Sequence, residues 1–138
     1  MTCPIKLFVI DDHDAVREAL VVRLCTAPGV LIVGDAPATK AALEEINALR
    51  PDVVLIETKC ANGGGLELVH CIAHGPSGAR AIVLTSYPSE WERWAVRRAG
   101  AVGYLLKDLG AAPLLEYIRN VIILNPHGTG LAQPLPSR

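Results

Sequence analysis

The segment Pro51-Asp52-Val53-Val54-Leu55-Ile56-Glu57 constrains the fold more than any other part of the chain. An unbroken apolar run between a proline and the polar, glycine-bearing stretch 58–65 reads as a strand buried on both faces, the mark of a parallel sheet. Its last residue is an acid. Open α/β sheets bind their ligands beyond the carboxyl ends of the strands, so Glu57 stands where chemistry is done, and the other strand ends decide its kind.

Taken in order, the chain alternates strand and helix. Residues 5–10 are apolar but for Lys6 and end in Asp11-Asp12, and residues 13–25 carry Val16, Leu20, Val21 and Leu24 at helical spacing before Pro28-Gly29. Residues 30–33 predict a second strand and 34–38 a loop. Thr39 then caps a helix with Ala42, Leu43, Ile46 and Leu49 on its apolar face, which Arg50-Pro51 stops. Beyond Glu57, the loop through Gly63-Gly64-Gly65 leads to a helix over 66–74, a turn at 75–78 and a fourth strand over 79–84 ending in Thr85-Ser86. Ser89 and Glu92 have the spacing of a capping box, and Gly100 closes the helix they open. A short fifth strand, 103–106, ends in Lys107. Asp108 as N-cap and Pro113 in the first turn open a last helix running to about Leu124.

Each parallel crossover needs a helix, so this alternation predicts a doubly wound α/β domain, a five-stranded parallel sheet with five helices, over residues 1–124. Residues 125–138, with three prolines and two glycines, are expected to form a linker or tail. The chain is long enough, at 138 residues, to bury a core without staples, and with 51% hydrophobic but 4% aromatic residues that core is aliphatic. A net charge of −1 gives no basic footprint for nucleic acid or an anionic membrane. Cys3, Cys25, Cys60 and Cys71 are scattered, which speaks for reduced thiols and against a zinc knuckle or a disulfide framework. No apolar run approaches bilayer length, so a cytoplasmic protein with no membrane contact is expected.

A parallel sheet would present Asp11, Asp12, Glu57, Thr85 and Lys107 along one edge. Carboxylates held together repel, so such a site needs a cation or a shared proton, and oxygen-only ligands suit a weakly held Mg²⁺ bridging to a phosphate. Lys107 and the Thr85 hydroxyl would serve phosphoryl oxygens as point charge and donor.

Asp11-Asp12-His13, the strand 51–57, Val83-Leu84-Thr85 and the run Gly100-Ala101-Val102-Gly103-Tyr104-Leu105-Leu106-Lys107-Asp108 together resemble the receiver domain of two-component response regulators. The run from Asp11 to Leu20 and the run ending at Asp108 look most like the NarL/FixJ subfamily, whose receivers precede a LuxR-type DNA-binding domain. The resemblance implies a flavodoxin-like receiver topology, metal binding by Asp11, Asp12 and the residue at position 57, phosphoryl binding by Lys107, and a switch formed by Thr85 and Tyr104. It also implies a sensor histidine kinase as partner, a homodimer through the first or last helix, transcription regulation, and contact with DNA only through an output domain absent from these residues.

One position departs from the pattern. The family places aspartate at the phosphoacceptor position where this chain has Glu57, and follows it with a Met-Pro pair where this chain has Cys60-Ala61. Glutamate carries its carboxylate about 1.5 Å further out. Two readings follow: a receiver that is not phosphorylated and whose glutamate partly mimics an acyl phosphate, or one that accepts phosphate slowly. The first is preferred, because positioning carries most of phosphoryl-transfer catalysis.

An enzyme is the competing class. Asp12 with Asp14, and later Thr85 and Lys107, also look like the opening of a haloacid-dehalogenase-like phosphatase, but that family needs a further acid pair and usually a cap. A flavin-binding fold would want a hydroxyl-rich first loop, where this one is acidic. His13 reads as a solvated residue at a helix head, and His70 and His74 as surface residues. Gly63-Gly64-Gly65 lacks the lysine of a P-loop. Trp91 and Trp94 read equally as a partner-binding face or as cover for the sheet edge. Core packing and a dimer face share the apolar last helix, Ile118, Val121, Ile122 and Leu124.

Overall fold

The computed structural model describes residues 3–59 and 64–124. Five strands, β1 (Ile5–Ile10), β2 (Val30–Ala36), β3 (Val53–Ile56), β4 (Arg80–Thr85) and β5 (Gly103–Leu106), alternate with α1 (Asp14–Cys25), α2 (Lys40–Leu49), α3 (Gly65–Ala73), α4 (Glu90–Ala99) and α5 (Ala111–Leu124). The strands form one sheet in the order β2-β1-β3-β4-β5, with every pairing parallel.

Alternation along the strands divides the core in two. On one face Phe8, Ile10, Val54, Ile56, Ala81 and Val83 pack against Ala42, Ile46, Val69, Ile72 and Val96 of α2, α3 and α4. On the other, Leu7, Val9, Val53, Leu55, Ile82 and Leu84 meet Leu20 and Leu24 of α1 and Leu114, Leu115, Ile118 and Val121 of α5. β3 and β4 are buried throughout, which is why the run after Pro51 shows no polar alternation. Emptying this core is costly: Ile118→Ala, at a fully buried position, removes about 2–5 kcal/mol.

Three local expectations need correction. β2 does not stop at Val33 but runs to Ala36, because Gly34, Asp35 and Ala36 pair with Phe8, Val9 and Ile10 after a register irregularity. Gly34 is part of the strand for a packing reason: a Cβ there would lie 2.6 Å from the Phe8 ring. Asp108 is not the N-cap of α5. It sits in a turn, and the first helical bond runs from Leu114 N–H to the carbonyl of Gly110. The capping box at α4 is half formed: Ser89 Oγ accepts from Glu92 N–H at 3.0 Å, but the Ser89 N–H donates to the Tyr104 hydroxyl, leaving the Glu92 carboxylate for other partners.

The remaining caps follow their residue chemistry. His13 Nδ1 accepts from Val16 N–H and Thr39 Oγ1 from Ala42 N–H. Gly100, at φ +113°, takes the left-handed C-cap of α4 that a side chain would resist. Residue 60, the Cys60-Ala61 pair, Gly63 and the tail 125–138 lie outside the described residues.

Candidate functional site

The strand order reverses direction between β1 and β3, because β2 lies on one side of β1 and all later strands lie on the other. A crevice opens at such a point above the carboxyl ends. The residues just beyond β1 and β3 are Asp11 and Glu57, and a cleft of about 410 Å³ there is lined by these two with Asp12, His13, Lys59, Ser86, Tyr87 and Lys107.

Lys107, one residue past β5, reaches across to both acids. Its Nζ lies 2.7 Å from Asp11 Oδ2 and 2.9 Å from Glu57 Oε1. The other oxygen of each carboxylate accepts a backbone amide two residues on, Asp11 Oδ1 from His13 N–H and Glu57 Oε2 from Lys59 N–H, both at 2.9 Å. Burial works against the Lys107 ammonium, but the hydrogen bonds and charges of Asp11 and Glu57 outweigh it and raise its pKa. Asp12 also lines the cleft, and its Oδ1 accepts from Ala38 N–H at 2.7 Å, tying the end of β1 to the start of α2. Arg17 on α1 braces the same corner, donating to the Asp11 carbonyl at 2.6 Å and pairing with Asp14 and Asp35.

A second cluster stands beside the first. Thr85 is fully buried, and its Oγ1 accepts from Lys59 Nζ at 3.0 Å and from Tyr87 N–H at 3.1 Å. Lys59 Nζ also donates to the Tyr87 carbonyl and pairs with Glu92 Oε1 at 2.9 Å. Glu92, on α4, accepts further from Thr58 Oγ1 and from the Tyr104 hydroxyl, both at 2.6 Å. Burial raises the Glu92 pKa, yet the hydrogen bonds of Thr58, Tyr104 and Lys59 carry it below the ordinary value. Tyr104 is pushed up to about 12 by its own burial and then by the Glu92 carboxylate. Gly65 keeps this cluster compact, since a Cβ there would collide with the Thr58 carbonyl.

Asp11, Glu57 and Lys107 therefore converge as the strand ends imply, Thr85 and Tyr104 join the neighbouring cluster, and Asp12 bonds the α2 loop. Lys59, Thr58 and Glu92 escaped sequence reasoning. The one signal was Glu92's place in a half-used capping box. Trp91 and Trp94 are 66% and 57% exposed.

Oxygen-only donors at this edge fit Mg²⁺, the ion that receiver domains bind at their acidic pocket. Among the described residues, however, no three acid, histidine or cysteine side chains are gathered as a cage, because Lys107 stands between Asp11 and Glu57.

A parallel sheet of this order with acids, a hydroxyl and a lysine at its carboxyl edge defines a phosphoryl-signalling module of the receiver class. Residues 7–119 match the response regulator receiver domain, and the chain belongs to that family. It is 33% identical over 117 residues to the DNA-binding transcriptional activator DevR/DosR of Mycobacterium tuberculosis, covering 85% of this chain and 54% of that protein. Against the nitrate/nitrite response regulator protein NarP of Escherichia coli it is 32% identical over 116 residues, covering 84% and 54%. The chain thus spans about half the length of these relatives. The signal receiver domain of the response regulator NarL from Mycobacterium tuberculosis superposes with a TM-score of 0.78 at 26% identity, covering 86% of this chain and 96% of that one. These relatives are response and transcription regulators, not phosphatases, and the dehalogenase-like reading is set aside. Among the described residues no helix is long and apolar enough to cross a membrane.

Proposed function

We propose that this receiver regulates transcription without being phosphorylated at Glu57, acting through a DNA-binding output domain of the kind its curated relatives carry. The observation that carries the reading is the 2.9 Å contact between Glu57 Oε1 and Lys107 Nζ. An acceptor must offer a carboxylate oxygen free and in line with the phosphorus. Here one oxygen of Glu57 is held by Lys107 and the other by the Lys59 amide, and the side chain is 8% exposed. The carboxylate meets the lysine as a phosphoryl oxygen would, and Tyr104 is buried, its hydroxyl bonded to Glu92, so the domain rests near its signalling conformation.

In this reading Asp11 and Asp12, with Glu57, hold Mg²⁺ weakly, because Lys107 already compensates two of the three acids. Thr85 and Tyr104 form the switch. A sensor histidine kinase is then a docking partner without being a phosphodonor. The protein is cytoplasmic and pairs as a homodimer through α1 or α5, whose exposed Val22, Ile123 and Leu124 supply apolar surface.

Intact mass after incubation with a small phosphodonor and Mg²⁺, run beside Glu57→Asp, tests this. The shorter side chain withdraws from Lys107 and gains a phosphoryl group, while the unmodified chain gains none. A phosphoryl group on the unmodified chain establishes slow acceptance by Glu57 instead.

A further inference from the structure

Glu92 gathers three donors from two places in the chain. Thr58 belongs to the segment after β3, Lys59 follows it, and Tyr104 lies on β5. Each donor is committed. The Lys59 ammonium has three hydrogens and three partners, Thr85 Oγ1, the Tyr87 carbonyl and Glu92 Oε1, so it is a crosslink even though 46% of its side chain is exposed. The Tyr104 hydroxyl donates to Glu92 and accepts from Ser89 N–H at 3.1 Å, so both of its roles are used inside the protein.

We propose that Lys59 and Glu92 are positioning residues for the switch, a clasp that holds Thr85 and Tyr104 in one arrangement by an internal ion pair instead of by a phosphoryl group. The inference rests on the receiver reading and extends it to the Lys59 ammonium and the Glu92 carboxylate, side-chain groups outside the Glu57–Lys107 contact. The physical basis is a buried carboxylate that would lose a partner whenever Tyr104 swings outward. Such a loss is expensive where the acceptor is charged and shielded from water. Lys59 transmits the same constraint to β4, since releasing Glu92 also frees the ammonium that holds Thr85 and the Tyr87 carbonyl.

The test is fluorine NMR of the full chain with 3-fluorotyrosine at its three tyrosines, Tyr87, Tyr104 and Tyr117, in the presence of a soluble gadolinium relaxation agent, with Tyr104→Phe assigning the resonance. In the unmodified chain Tyr104 is protected and Tyr87, 76% exposed, is not. Glu92→Ala raises the exposed population of Tyr104 roughly tenfold while Tyr87 and Tyr117 keep their relaxation. Lys59→Met moves Tyr104 in the same direction by less. A merely structural role for Glu92 would lower thermal stability and leave Tyr104 protected, and that outcome overturns the proposal. Should Glu92→Ala not fold, Glu92→Gln, which keeps shape and an acceptor oxygen but loses the charge, decides it: partial exposure of Tyr104 upholds the clasp and none overturns it. Phosphoryl gain at Glu57 is read by mass in separate samples and the NMR samples contain no phosphodonor, so failure of one reading is distinguishable from failure of the other.

Discussion

Two lysines stand at the same sheet edge, one after β3 and one after β5, and they do different work. Lys107 is 17% exposed and neutralises a pair of carboxylates, Asp11 and Glu57, that are 5% and 8% exposed. Lys59 is 46% exposed and meets one carboxylate, with a hydroxyl and a carbonyl as its other partners. Lys107 thus answers an electrostatic demand of two buried acids at once, whereas Lys59, itself half exposed, ties one buried acid to a hydroxyl and a carbonyl. Glu92 is 11% exposed, almost as buried as Asp11 and Glu57, so the contrast teaches that burial of the lysine itself, more than the distance of the contact, sets what an ion pair is worth.

The largest effect should come from Lys107→Met. It leaves two acids side by side in a buried pocket, and breaking a pair of this kind by removing one partner costs about 3 kcal/mol when the site keeps some solvent access. Urea unfolding at neutral pH measures it, and a loss below about 1 kcal/mol would erase the distinction between the lysines. The pH dependence has a definite sign. The folded pKa of Lys107 is raised, so its contribution is complete below its ordinary value of about 10.4 and is lost only as pH climbs through the higher folded value. The deficit of the variant is therefore flat through neutrality and shrinks in strong base.

A middle effect is expected from Glu92→Gln, about 1–2 kcal/mol, from hydrogen bonds to a charged acceptor. Glu92 has a depressed folded pKa, so its charge-dependent share is present above its ordinary value of about 4.3 and disappears as pH falls through the lower folded one. Unfolding followed from neutral pH into acid should show the variant and the unmodified chain converging at the acid end. Parallel curves would mean that the charge of Glu92 is not what holds its three donors. The smallest effect belongs to Lys59→Met, within about 1 kcal/mol, because the lysine is half exposed and screened by solvent. High salt should shrink that difference further, and a salt-independent loss would place Lys59 with Lys107 after all.

The elements that sequence reasoning placed well are those whose burial is carried by their own residues. β3 and β4 are continuous apolar runs, α2 and α4 are opened by Thr39 and Ser89, and the acids and lysine that close β1, β3 and β5 needed only a parallel sheet to bring them together. Its misses have a common cause. Gly34 reads as a loop until the Phe8 ring is seen beside it, and Glu92 reads as the second half of a cap until Tyr104 takes the Ser89 amide. Asp108 is a good capping residue in a place where the helix begins later, at Ala111.

The sequence by itself determined the alternation of strands and helices, the aliphatic core and the set of charged residues offered at one edge, because these follow from periodicity and from the residue that ends each strand. Only the tertiary structure decided which of those residues pair. Lys59 lies 33 positions from Glu92 and 26 from Thr85, and Lys107 lies 96 from Asp11. Partners so distant along the chain are selected by the strand order and by which way each side chain can turn once its neighbours are packed, neither of which is written in local spacing.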